Sequence, residues 1–203
     1  MSLEQFALLV LFVVVLTGTP GPANLSLMAS GLAVGALRTI PFLLGTMAGF
    51  QAIFLLNAAG LAAAVYLVPG LAIALKIACL AYIGWLAWSI ATADPAKPRE
   101  QRLATPAADF VRGLWLHPVN PKAYAMQVAA LAQFASPRPS LLEVAILAAT
   151  FIFAGGFMNY LWAAGGGAMG RIAQSPSSYR ALAVTLSLLM VASVVASLFL
   201  APR

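Results

Sequence analysis

The stretch TGTPGPANLS, residues 17–26, interrupts a segment that is otherwise apolar enough to cross a membrane. It lies between the apolar runs FALLVLFVVVL and LMASGLAVGAL, and no charged residue occurs in residues 5–37. As one straight helix this segment would measure ~50 Å, whereas the hydrocarbon core of a bilayer is ~30 Å thick. The two prolines and two glycines of the stretch therefore predict two half-helices inside the membrane, the second beginning at Pro22 after Gly21.

The composition of the chain is that of a membrane protein. Of its 203 residues, 63% are hydrophobic and 8% are charged, whereas a soluble domain carries about 25% charged residues. The net charge of +6 comes from basic residues in short segments between apolar runs, so we expect loop charges and no binding of nucleic acid. With one cysteine and one histidine, the chain has no metal site of the usual type, and we expect no cofactor.

Six apolar segments follow one another along the chain, at residues 5–37, 40–67, 71–92, 110–134, 141–167 and 181–201. Each is long enough to cross a bilayer, and only helices satisfy their backbone hydrogen bonds at this length in lipid. The sequence therefore predicts an all-α polytopic protein of the inner cell membrane, with a single transmembrane domain over residues 1–203. Small residues four positions apart predict helix contacts at the pairs Gly31/Gly35, Gly45/Gly49 and Gly166/Gly170.

A second broken helix is predicted in the fourth segment, which contains HPVNPK at residues 117–122. Asn120 followed by Pro121 has the chemistry of an N-cap and a first helical residue, and Pro121 lies 99 positions after Pro22. We interpret the chain as two three-helix repeats, residues 1–92 and 110–203, joined by a linker over 93–109. Because three is odd, the second repeat enters the membrane inverted, and helices 1 and 4 are both broken at mid-membrane. Such paired breaks indicate a transporter's binding site.

The distribution of Lys and Arg predicts the orientation of the chain. If the amino terminus lies outside, seven basic residues fall in inner loops and three fall outside. Because cytoplasmic loops carry an excess of Lys and Arg, we expect both termini in the periplasm and the 93–109 linker in the cytoplasm. The inner residues are Arg38, Lys97, Arg99, Arg102, Arg112, Arg171 and Arg180, and the outer ones are Lys76, Arg138 and Arg203.

Several motifs, in this order, resemble the LysE/RhtB family of amino-acid exporters: TPGPAN followed by MASGLAVGALR, then LKIACLAYIGWLAW, then NPKA and a final QF. The resemblance extends over nearly the whole chain. It implies export of small amino acids or related metabolites from the cytoplasm by antiport with protons, and it leaves a homo-oligomer open. Two features depart from the family: Gln51 stands where members often carry an acidic residue, and LAQF replaces their proline–glutamine–phenylalanine.

The two breaks predict a substrate site, because the second half-helix directs unpaired N–H groups and a partial positive charge inward. Lys122 lies deep in its segment, where a lysine is costly and usually functional; we expect it to hold the substrate carboxylate, the alternative being snorkelling to a lipid headgroup. Asn24 and Asn120 can cap the backbone, bind substrate or do both, and Gln51 can bind substrate or bridge helices. The predicted substrate-binding residues are Pro20, Gly21, Pro22, Asn24, Gln51, Asn120, Pro121 and Lys122.

Proton coupling needs a group that binds a proton on one side and releases it on the other, and intramembrane carboxylates usually do this. None of the five carboxylates lies in the middle of a segment. We therefore expect proton coupling through Lys122, with facilitated diffusion as the rival mechanism. The other candidates are His117, which ordinarily titrates near neutrality, and Asp109 at the cytoplasmic edge. A non-transporting scaffold or regulatory partner is the alternative function. A membrane enzyme is a third, although no set of nucleophile and base is visible.

Overall fold

The computed structural model describes residues 1–60, 70–94, 105–173 and 175–199, without the side chains of 71, 72, 76 and 197–199. Every regular element in these ranges is helical. Predictions for residues 61–69, the Lys76 side chain, most of the linker and the last residues lie outside the described part. The α-helices of the described ranges are α1 (Leu3–Gly18), α2 (Pro22–Val34), α3 (Ile40–Ala58), α4 (Leu71–Ala91), α5 (Pro106–Leu114), α6 (Pro121–Phe134), α7 (Leu141–Thr150), α8 (Gly156–Ile172) and α9 (Pro176–Phe199).

Four helical segments of the described chain are long and apolar enough to cross a membrane, and the bent pair α1–α2 makes a fifth if it is one span. The four are Leu37–Ala58, Ile73–Ala91, Leu141–Ile172 and Pro176–Ala196. The helix predicted over residues 110–134 is not among them. It is divided into α5 of 9 residues and α6 of 14 residues, each too short to cross alone. The all-helical membrane fold is confirmed, and the six-helix inverted repeat stays a prediction.

The first break has the local structure that its sequence predicts. Helix α1 ends at Gly18, α2 begins at Pro22, and the pair is bent by 62°. Gly21 is the N-cap of α2 and provides no side-chain cap. Pro22 takes the first helical position, where a missing N–H group removes no hydrogen bond. The two half-helices predicted here are confirmed.

The second break repeats this arrangement with one difference. Helix α5 ends at Leu114, residues 115–119 form a turn, and α6 begins at Pro121. The Asn120 side-chain oxygen accepts a hydrogen bond from the backbone N–H of Lys122 at 3.1 Å. The predicted N-cap is thus confirmed, and α6 has a capped first turn, whereas α2 has none.

Glycines bring α2 and α8 into backbone contact. A Cβ atom added at Gly31 on α2 would lie 2.0 Å from the Ala163 carbonyl oxygen on α8. One added at Gly166 on α8 would lie 1.8 Å from the Met28 carbonyl oxygen on α2. The packing prediction is confirmed for these two glycines but is wrong for Gly35, around which the structure leaves open space. Gly35 instead ends α2 with a φ of 90°, which a glycine adopts at little cost.

Helix α5 is held against α3 in the same way. A Cβ atom at Gly45 would lie 1.9 Å from the Phe110 carbonyl oxygen, and one at Gly49 would lie 2.1 Å from that of Leu114. Both members of this pair therefore serve helix packing, as predicted. The contact fixes the first half of the fourth segment to α3 and so places the turn at residues 115–119 beside the first break.

Two clusters of buried side chains flank the breaks. One cluster joins α2, α4 and α9 and includes Leu32, Leu86 and Met190. The other joins α1, α3, α6 and α7 and includes Val13 and Phe54. Since α1 belongs to one cluster and α2 to the other, the first break lies at the junction of the two packed units.

Candidate functional site

The Lys122 ammonium group connects the two breaks. Its Nζ atom donates to the Thr19 carbonyl oxygen at 2.7 Å, to the Thr19 Oγ1 at 2.9 Å and to the Pro20 carbonyl oxygen at 3.3 Å. These oxygens lie just after α1, where the final carbonyl groups of a helix lack partners and carry a partial negative charge. Lys122 therefore binds the end of α1, a partner that the sequence did not indicate, rather than reaching toward a lipid headgroup.

The start of α2 lacks a side-chain cap, whereas the start of α6 has one. A Cβ atom at Gly21 would lie 3.0 Å from Lys122 Cδ and 3.2 Å from Nζ, so the N-cap glycine leaves room for the lysine. Asn24 does not cap α2, because its Nδ2 donates to the Thr17 carbonyl oxygen of α1 at 2.5 Å. The first N–H groups of α2 thus have no side-chain acceptor among the residues described, while Asn120 caps α6.

A cavity of about 30 Å³ lies beside Lys122, a volume that holds about one water molecule. Its other walls are mostly apolar and include Met47, Phe50, Met126 and Phe151. The backbone residues Pro20, Gly21, Pro22 and Pro121 are not among its lining residues, although Pro20 accepts from Lys122. The predicted site residues that line it are Asn24, Gln51, His117, Asn120 and Lys122.

His117 lies in the turn between α5 and α6 and is buried against α3. Its ring packs edge-on against Phe50, with 5.0 Å between ring centroids. Its Nδ1 atom is buried and has no hydrogen-bond partner in the described part of the chain. The histidine thus borders the Lys122 cavity. Its ring packs against α3, and its Nδ1 atom is left without a hydrogen bond to the residues described.

Asp109 lies apart from the other two candidates for proton coupling. It is in the first turn of α5, where its Oδ1 is 3.6 Å from Arg112 Nη1. Asp109 lines a second cavity that shares no lining residue with the Lys122 cavity. Asp109 therefore lies apart from the first break, and its candidacy for proton coupling stays a prediction.

Amide side chains bridge the helices around the site. Gln51 Nε2 donates to the Ala148 carbonyl oxygen of α7 at 3.2 Å, so its bridging role is confirmed. Asn57 Nδ2 donates to Gln127 Oε1 at 2.6 Å, and Gln127 Nε2 donates to the Phe50 carbonyl oxygen at 2.9 Å. Gln127 was missed in the sequence; the signal available was an amide in an apolar segment, five residues after Lys122.

A π-helical turn at Phe151–Gly155 joins α7 to α8 beside the cavity. Phe151 and Gly155, its first and last residues, both line the cavity. Such turns inside α-helices occur frequently at functional sites, and no feature of the sequence indicated this one. Asn159 also lines the cavity, and its side chain makes no hydrogen bond with the residues described.

Comparison with known proteins identifies the family to which the chain belongs. A model of the LysE type translocator family matches residues 14–201. The chain belongs to the LysE type translocator family. The protein is therefore a multi-pass membrane transporter of an amino-acid exporter family and not an enzyme, as its resemblance implied.

The similar curated relatives are bacterial efflux proteins. The cysteine/O-acetylserine efflux protein of Escherichia coli (strain K12) is 32% identical over 174 residues, which cover 85% of this chain and 87% of the relative. That of Escherichia coli O157:H7 is 33% identical over 177 residues with the same coverage, and that of Shigella flexneri serotype 5b is 32% identical. No solved structure matched the chain significantly.

Proposed function

We propose that this translocator exports small amino acids with short, uncharged side chains from the cytoplasm in exchange for protons. The observation that carries the proposal is the Lys122 ammonium group, which rests on the oxygens after α1 beside the uncapped start of α2. Cysteine and O-acetylserine, after which the relatives are named, combine an ammonium group with a carboxylate and a short side chain.

The first break is complementary to such a zwitterion. The end of α1 carries a partial negative charge and the start of α2 a partial positive charge. The substrate ammonium group takes the place of Lys122 on the oxygens of Thr19 and Pro20. The substrate carboxylate accepts from the free N–H groups of Ala23 and Asn24 in the first turn of α2. In the empty carrier, the Lys122 ammonium group thus occupies the position that the substrate ammonium group takes when substrate is bound.

The apolar wall of the cavity suits a short side chain. Phe50, Met126 and Phe151 face it, and the Asn159 amide offers one polar group without a hydrogen bond in the described chain. Because about 30 Å³ admits a water molecule but no amino acid, the conformation described here is closed. Release of the Lys122 contacts removes the direct link between the breaks, and the half-helices then separate to admit substrate.

Antiport follows from competition for one set of oxygens. The empty carrier returns with Lys122 protonated and held by Thr19 and Pro20, as in this structure. Loss of that proton to the cytoplasm frees the oxygens, and the substrate ammonium group binds them instead. Proton and substrate are then never carried together, so an inward proton gradient drives substrate outward.

Transport and coupling are tested with purified protein in liposomes that hold labelled L-cysteine kept reduced. We expect an imposed pH gradient to drive L-cysteine uphill, against the proton flux. His117→Ala and Asp109→Asn are expected to keep this coupling, since neither residue contacts the oxygens after α1. Flux that is indifferent to the gradient would leave facilitated diffusion, and no flux of any small amino acid would favour the scaffold alternative.

The orientation that this cycle requires is tested by reporter fusions. With inverted repeats, a periplasm-active reporter at Arg203 and a cytoplasm-active reporter at Lys97 are both expected to report activity, because the positive loops stay inside. A fusion in the turn at Pro139 controls for the outer side. A cytoplasmic carboxy terminus would contradict the inverted repeat.

A further inference from the structure

A second cavity, of about 270 Å³, lies at one end of the helix bundle. It is bounded by the second half of α2, the last turns of α4 and the first turns of α5 and α9. Its lining includes an acidic and a basic side chain, whereas Lys122 and His117 are the titratable residues that line the Lys122 cavity and no carboxylate does so in the described chain. We call it the Arg112 vestibule; its polar lining residues are Ser26, Ser30, Ser89, Asp109, Arg112 and Tyr179.

The charged groups of the vestibule are poorly paired with each other. The 3.6 Å between Asp109 Oδ1 and Arg112 Nη1 exceeds the ~2.7–2.9 Å of a charge-assisted hydrogen bond. Arg112 Nε is buried and has no acceptor in the described part of the chain. Among the residues described, the guanidinium group donates no hydrogen bond and the Asp109 carboxylate accepts none. Both groups thus keep their hydrogen-bonding capacity beside an open volume.

Neighbouring aromatic residues hold Arg112 in place. The guanidinium carbon lies 5.3 Å from the ring centroid of Trp85, within the range of a cation–π contact. The Tyr82 hydroxyl donates to the Arg112 backbone carbonyl oxygen. The Trp85 ring therefore contacts the flat face of the guanidinium group, which forms no hydrogen bonds. The N–H groups at the edge of the guanidinium group are left uncovered by the ring. Such an arrangement suits bidentate binding of a carboxylate.

Helix α2 connects the vestibule to the Lys122 cavity. Ala23 lines the Lys122 cavity, and Ser26, Ser30 and Val34 line the vestibule. These residues are three, seven and eleven positions after Ala23, so they share one face of the helix, over ~16 Å. Ser26, the first of the three, donates to Met190 Sδ at 2.8 Å. The two cavities therefore follow one another along the same helix face.

We propose that the Arg112 vestibule is a second binding site for the amino-acid zwitterion, which the substrate occupies before it reaches the first break. Arg112 binds the carboxylate, Asp109 binds the ammonium group, and the serine hydroxyls face the side chain. The volume is close to the lower limit of ~300 Å³ for small-molecule pockets. This inference rests on the proposed function, because it takes the same substrate.

The test compares the two faces of the membrane. Everted and right-side-out vesicles that contain wild type or Arg112→Gln are supplied with O-acetyl-L-serine, and KM and kcat are measured for each orientation. We expect the substitution to raise KM about tenfold from the vestibule side, the loss of one charge-assisted hydrogen bond. From the other face KM stays unchanged, and kcat stays within about twofold on both. Arg180→Gln, at an exposed arginine, is the matched control and leaves all four values unchanged.

Two other outcomes would contradict the vestibule site and leave the proposed function unaffected. An unchanged KM on both faces would show that Arg112 binds no substrate. An equal rise on both faces would show that the Asp109–Arg112 pair only stabilises the start of α5. If wild type transports no O-acetyl-L-serine, the proposed function fails first. Isothermal titration of purified wild type and Arg112→Gln with the same compound then decides whether the vestibule is a binding site. Only wild type should bind the compound there.

Discussion

Replacement of Lys122 by alanine is expected to abolish export of L-cysteine driven by a pH gradient, with at least a roughly hundredfold fall in rate. The variant lacks the ammonium group that occupies the oxygens of Thr19 and Pro20 in the empty carrier. No side chain then carries the proton across the membrane, and the carbonyl groups after α1 lose their charged partner. The measurement is uphill flux of labelled L-cysteine out of the liposomes at a fixed pH difference, and we expect exchange of internal for external L-cysteine at equal pH to persist.

The exchange measurement separates the two roles that Lys122 can have. If exchange is lost together with coupled export, Lys122 holds the substrate carboxylate, as expected from the sequence alone. Lys122→Arg is expected to lose coupled export and exchange together, because a guanidinium group keeps its proton and continues to occupy the oxygens. Thr19→Val is the matched control: it removes one of three acceptors and should lower the rate by only a few-fold. Coupled export that survives in Lys122→Ala would contradict the cycle.

Replacement of Gly166 by alanine is expected to destabilise the protein severely. The new Cβ atom would lie 1.8 Å from the Met28 carbonyl oxygen, so α2 and α8 must move apart. Overpacking of this kind costs about 3 kcal/mol or more of unfolding free energy, which corresponds to a Tm lower by ~6–12 °C. Thermal unfolding of the purified protein in detergent, followed by tryptophan fluorescence, measures the change.

The neighbouring glycine provides the control for this effect. A Cβ atom at Gly165 would lie 3.4 Å from Met28 Cε, the mobile end of a side chain. Gly165→Ala is therefore expected to change the unfolding free energy by less than about 0.5 kcal/mol, in part because alanine favours the helix. Equal Tm changes for the two variants would show that the contact between α2 and α8 yields easily. That outcome would show that α2 and α8 do not form a rigid pair that positions the first break.

The sequence by itself determined the class of the protein and the local structure of both breaks. Apolar length decides that a segment enters the membrane. Proline and asparagine act through their own covalent geometry and their own side chains, so Pro22 and the pair Asn120–Pro121 start half-helices whatever surrounds them. Gly31 and Gly166 were found for a similar reason, since residues four positions apart share a helix face.

Tertiary structure alone decided which groups meet. Lys122 binds the end of α1 because packing brings together residues 103 positions apart, and no local rule connects them. Gln127 is an ordinary amide in the sequence and a helix bridge only because α6 packs against α3. Asp109 was a further candidate for proton coupling by its chemistry, and α5 places it with Arg112 in another cavity. Local chain chemistry sets where a helix begins and ends, whereas the partners of a side chain depend on how whole helices pack.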